Sequence, residues 1–243
     1  FVKTDSNLTT LLSNRKIKSK TLRDAIYKPP PLEQITQINF YIERFALDVS
    51  PNIPAIKCMQ SLWNLPFIDY DFSDFLFRVT RNIYETCDRL SHFTETPREC
   101  PLCVTGGISP PPSDYIGHCF FDCQFVYPLV WDYCMAYNLP CTHACIFGGA
   151  NAKNVWLRNV VNLDLGLIKF YIHNCRHSNK LPTSVRCAQF IANSRFAWTR
   201  VSKKYLRAVS KFQEINLDRA TAENNQAALS YINRCAPIFD DNG

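Results

Sequence analysis

No stretch of the chain reaches the roughly 18 consecutive apolar residues of a membrane span, and the opening Phe-Val-Lys-Thr-Asp-Ser lacks both an initiator Met and the apolar core of a signal peptide. The first absence excludes a helical membrane protein. The second reads as a fragment or a processed piece. Alternating apolar and polar residues never run for more than a few positions, and no internal repeat appears, which excludes an extended sheet and a solenoid. Phosphate-loop, dinucleotide-binding, zinc-protease and serine-hydrolase signatures are also missing, so no catalytic role is expected.

What is present is ample apolar material: 47% of residues are hydrophobic and 13% aromatic, enough for a real core. That bears on the twelve cysteines, because disulfide frameworks belong to short secreted chains that cannot build a core. Cys58, Cys87, Cys134, Cys175, Cys187 and Cys235 stand where helical patterns place apolar neighbours, and a free thiol there acts as a small hydrophobe. A reduced, intracellular protein of nucleus or cytoplasm is expected. The sequon Asn7-Leu-Thr9 keeps a disulfide-rich secreted protein as an alternative.

Four residues carry the sharpest chemical signal: Cys100, Cys103, His118 and Cys123, spaced C-x2-C-x14-H-x4-C. Tetrahedral zinc is held by thiolates and imidazole of this kind, one short Cys hook joined by a second pair. No water-activating residue stands beside them, so one structural Zn2+ is expected rather than a hydrolytic one. A nucleoside-deaminase order fails, because there the His precedes the hook.

Apolar spacing predicts a mainly α protein, with irregular helical domains stapled by the CCHC site. A basic segment and proline-rich linker, 1–31, precedes a helical zinc-binding domain, 32–147, and a basic helical region, 150–243. Helices are expected over 32–48, over 72–90 as one element with Ser73 and Asp74 at its start, after Pro128 through Trp131, Cys134 and Tyr137, over Leu157 to Cys175, over 187–212, and around Ala227 to Cys235.

The segment Phe75-Leu-Phe-Arg-Val-Thr-Arg-Asn-Ile-Tyr-Glu-Thr-Cys-Asp-Arg-Leu90, then Cys100-Pro-Leu-Cys103, His118-Cys-Phe-Phe-Asp-Cys123 and Val130-Trp131, resembles the reverse-transcriptase zinc-binding domain. That family lies at the carboxyl end of non-LTR (LINE-type) retrotransposon polyproteins. The resemblance covers residues 62 to 135; the gap from Cys103 to His118 is longer than usual and carries Pro110-Pro-Pro112, and Asp114 stands where the family has an acid shortly before the His. It implies an accessory domain that positions template RNA and target DNA beside an upstream polymerase, with no small-molecule substrate of its own.

Charge places the contact elsewhere. Between residues 151 and 219 thirteen Lys and Arg face three acids, so with a chain total of +6 this stretch carries +10 and the remainder −4. A polyanion, RNA or DNA, is the expected partner. Phosphate contact is expected from Arg195, Arg200, Lys203, Lys204, Arg207 and Lys211, against the plainer reading of a solvated helix face. A protein-interaction or scaffold module of the same fold is the other alternative. Weaker signals are a second metal cluster of Cys134, Cys141, His143 and Cys145, the pair His173 and His177, an acidic group of Asp69, Asp71 and Asp74, and the terminal Ile238-Phe-Asp-Asp241.

Overall fold

The computed structural model describes residues 62, 65–80, 83–148 and 154–237. The expected segments 1–31 and 32–48, Cys58 and the 238–241 motif lie outside them. Among the described residues the elements are α1 (Tyr70–Thr80), α2 (Cys87–Leu90), α3 (Pro101–Thr105), a π-helical turn (His118–Asp122), α4 (Tyr127–Ala136), α5 (His143–Gly148), α6 (Val155–His177), α7 (Ser184–Val201), α8 (Lys203–Ala222) and α9 (Gln226–Arg234). No strand occurs among them beyond one antiparallel bridge, Glu99 to Ser113. The mainly α expectation holds.

Helix starts are set by short polar side chains that accept the orphan N–H groups of a first turn. Asp69 accepts from Phe72, Thr86 from Arg89, Asn154 from Trp156 and Leu157, Thr183 from Arg186, Ser202 from Tyr205 and Asn225 from Ala228. Helix ends use asparagine: Asn138, Asn179 and Asn224 follow α4, α6 and α8 with φ of 51°. Asparagine tolerates that left-handed geometry better than most residues, so a chain with seven glycines can still close its helices.

Two expected helices prove to be pairs. The pattern over 72–90 is not one helix: residues 83–86 are not helical, Ile83 is exposed, and Thr86 caps a separate four-residue α2. Asp69 rather than Ser73 caps α1, and Asp74 is held by Arg78 at 2.7 Å, which leaves no acidic metal group there. The pattern over 187–212 breaks at Ser202, whose extended backbone ends α7 and whose hydroxyl starts α8.

The bundle is built on α6. Helices α7 and α8 pack against it and against each other, α9 joins α8, α4 and α7, and α1 crosses α6. A single apolar core runs from Phe72, Phe75 and Leu76 through Leu102, Phe120 and Tyr133 to Ile168, Ile172, Ile191 and Val209. Across the expected boundary at 147 and 150, α4 lies against α7 and α9, and the described residues belong to one compact unit. Gly166 permits the α1 crossing, because a Cβ there would stand 2.7 Å from Leu76 and 3.1 Å from Phe72.

Three cations are buried: Arg195, Lys169 and Arg176. Arg195 is fully enclosed and forms a two-pronged pair with Asp164 through Nε, at 3.1 Å, and Nη2; Nη1 donates to the Cys235 carbonyl at 2.9 Å and the Tyr137 hydroxyl at 3.4 Å. Tyr133 completes the cluster by donating to Asp164 at 2.7 Å.

Lys169 has no such counter-ion among the described residues. Its Nζ donates to the Ile146 carbonyl at 2.6 Å, and burial pushes its pKa down to about 7. Because the folded value lies below the unfolded one, the contribution to stability is complete only above the unfolded value and is lost as pH falls through about 7. Replacing Lys169 by Met is therefore expected to stabilise the protein by about 1–4 kcal/mol near neutral pH, less about 1 for the lost hydrogen bond, with the gain shrinking toward pH ~10. Urea denaturation on both sides of that range checks it; a loss of stability near neutrality would show that the buried amine is worth keeping.

Candidate metal centre

The hook forms because Cys100 is the N-cap of α3 and Pro101 its first residue, where a missing N–H costs nothing. Val104 donates to the Cys100 carbonyl at 3.0 Å and Ile108 to the Cys103 carbonyl at 2.9 Å, which folds the chain back. Gly106 follows because space is short: a Cβ there would stand 2.0 Å from the Phe125 ring.

The second pair comes from the π-helical turn. His118 and Cys123 are five residues apart, which on an α-helix of 3.6 residues per turn puts them about 140° apart. Here Cys123 N–H bonds to the His118 carbonyl at 3.0 Å, a five-residue step that widens the turn and brings both side chains to one side. His118, Cys119, Phe120 and Phe121 are all buried in consequence.

The four expected ligands come together. Their ligand atoms all lie within 4.8 Å of one another, and all four residues are buried. Cys103 Sγ stands 3.4 Å from His118 Nε2 and 3.6 Å from Cys123 Sγ. This group can hold a metal ion, and it is the only such group of three or more ligands among the described residues. Without an ion the site resists carrying three thiolates. Hydrogen bonds from Cys123 and His118 pull Cys100 down to about 3, whereas burial and the Cys100 charge push Cys103 up to about 11, and the bond to Cys100 raises Cys123.

The weaker candidates separate. His143 pairs with Asp122 at 2.9 Å, and its ring lies tilted against Phe121 with centroids 4.2 Å apart. Cys134, Cys141 and Cys145 remain a local group of thiols whose ionisation burial suppresses. His173 Nδ1 shares a hydrogen with the Tyr84 hydroxyl at 2.8 Å, and its ring meets the His177 ring edge-on. Of the cysteines placed in apolar surroundings, Cys134, Cys175, Cys187 and Cys235 are buried and Cys87 half-buried.

The basic residues divide. Arg200, Lys203, Lys204 and Arg207 are exposed, and among the described residues no carboxylate pairs with them. Arg195 is removed from that set: its guanidinium is sealed in the core by Asp164 and cannot reach a phosphate. Lys211 is exposed but bridges to Glu214 at 3.0 Å.

Two residues that the spacing did not single out also stand at the centre. Asp114, fully buried, accepts from Cys87 N–H at 2.7 Å and from both ends of the Arg176 guanidinium, at 2.7 and 2.5 Å. Arg176 sits one turn past Ile172 on the buried side of α6, a cation on an apolar stripe, which was the available signal. Compared with protein-family models, curated proteins and solved structures, the chain matches none.

Proposed function

We propose that this chain is a zinc-stabilised, non-catalytic domain that binds nucleic acid, the accessory part of a LINE-type reverse transcriptase that positions template RNA or target DNA. Zinc suits the site. Bonds of about 2.3 Å to sulphur and 2.0–2.1 Å to nitrogen in a tetrahedron give S–S edges of about 3.8 Å and S–N edges of about 3.6 Å. The observed 3.6 and 3.4 Å lie close to both. Three thiolates and an imidazole leave no open position for a reacting water. Among the described residues no helix is long and apolar enough to cross a membrane.

One observation carries the nucleic-acid reading. Lys203 and Lys204 are the first two residues of α8, and Arg207 lies one turn on. A helix start has a positive dipole end and unpaired N–H groups, so acids are preferred there and lysines cost stability. Arg200, over the Phe196 ring at 5.5 Å, adds a fourth positive charge. A phosphate backbone compensates all of it at once, and the break at Ser202 is what puts Lys203 and Lys204 at a helix start.

Mobility-shift titration against single-stranded RNA and duplex DNA tests the proposal. Changing Lys203, Lys204 and Arg207 to Ala is expected to weaken binding and to reduce the slope of log affinity against log salt by roughly 2–3. Affinity that ignores salt, or survives the triple change, counts against it. The protein-interaction alternative is favoured by one feature, the exposed stripe Tyr127, Trp131 and Met135 on α4, where the first two rings lie 5.9 Å apart. It requires metal for folding and shows no polyanion binding. The secreted alternative requires bridged cysteines, which thiol counting in denaturant after chelation detects.

A further inference from the structure

The metal centre has one neighbour from far along the chain. Arg176, near the end of α6, brings Nη1 to 3.9 Å from Cys100 Sγ while the same guanidinium grips Asp114. Asp114 is brought there by the short antiparallel bridge: Cys100 N–H bonds to the Pro112 carbonyl at 2.9 Å, and Asp114 N–H to the Arg98 carbonyl at 2.8 Å. Its carboxylate is then fixed by Cys87 N–H at 2.7 Å. Cys119, buried beside the turn, is not part of the ligand group.

The charges explain why a cation is needed. A divalent ion with three thiolates and a neutral imidazole carries one net negative charge, buried where water cannot solvate it. Donors aimed at the sulphurs spread that charge, and the three sulphurs are not served alike. Among the described residues it is Cys100 whose sulphur an arginine N–H reaches, from Arg176 Nη1 at 3.9 Å.

We infer that Arg176 is the outer-sphere partner of a metal-bound Cys100 thiolate, oriented by Asp114, and that it couples the metal centre to the α6 bundle. It is a positioning residue, not a ligand, and the inference rests on the metal reading of the four ligands. A planar fork that holds a carboxylate and still presents an N–H to sulphur is a task for arginine that lysine performs incompletely.

Cobalt(II) is the probe. Its sulphur-to-metal charge-transfer band reports how strongly each thiolate donates. Arg176→Gln is expected to shift that band to lower energy and weaken cobalt binding about tenfold or more, with Arg176→Lys between it and wild type. An unshifted band and unchanged affinity in a folded Arg176→Gln protein overturn the inference while leaving the metal site intact. Wild type that binds no cobalt overturns both. A reading on wild type guards against variants that do not fold. In protein loaded with cadmium-113, a correlation through the Cys100 sulphur is expected from the Arg176 guanidinium protons; its absence overturns the inference.

Discussion

Removing the metal with a chelator is expected to lower the thermal midpoint by more than about 10 °C. Structural zinc contributes on the order of 10 kcal/mol to a small site, and in a chain of this length 1 kcal/mol moves the midpoint by about 2–4 °C. Even half of that contribution exceeds the stated shift. Helical signal is expected to survive in large part, because α6 to α9 bury apolar faces against one another without help from the ligands. Cys103→Ser should behave like the stripped protein.

Acid adds a second check. Cys103 and Cys123 are held protonated in the metal-free protein while Cys100 is not, so loading one ion displaces two protons. Affinity should then fall by about a hundredfold for each pH unit below neutrality. A stripped protein with an unchanged midpoint, after elemental analysis shows the ion gone, would refute the structural role.

Changing Asp164 to Ala is expected to cost about 3–5 kcal/mol, the largest effect of any single change away from the ligands. Burial opposes the Asp164 charge, but Arg195 and the Tyr133 hydroxyl favour it, and an arginine remains protonated throughout the accessible range. Taking the carboxylate away strands a guanidinium that can neither leave nor neutralise. The reverse change, Arg195→Met, should cost less, because a carboxyl left alone can take up a proton. Combining Asp164→Leu with Arg195→Met removes both charges at once and is therefore expected to recover most of the loss. Guanidinium denaturation of the metal-loaded forms measures all three. A single Asp164→Ala change costing under about 1 kcal/mol would mean that water reaches Arg195.

The sequence signals and the fold part company at identifiable residues. The four residues that could hold a metal were legible because soft donors at short spacings have few other uses in a chain with an apolar core. Helix α6 was legible because its stripe is long and capped at Asn154. The breaks before Thr86 and at Ser202 were not, since apolar spacing runs on through them, and threonine or serine becomes a cap only when the chain turns there. Val201 shows the coincidence: it continues the stripe in sequence yet is 70% exposed. Arg195 was misplaced because its partner lies 31 residues away; the trace was Asp164, a lone acid between Leu163 and Leu165.

The widened turn at His118 sets a time scale as well as a geometry. Four successive residues of that turn have no solvent side, and Phe120 packs on Phe75 and Tyr84. An ion cannot slip in or out past a surface loop, because that segment is interior. Exchange must wait until the surrounding core opens, so isotope exchange of bound metal should be as slow as local unfolding of the turn, however labile the individual metal–sulphur bonds are.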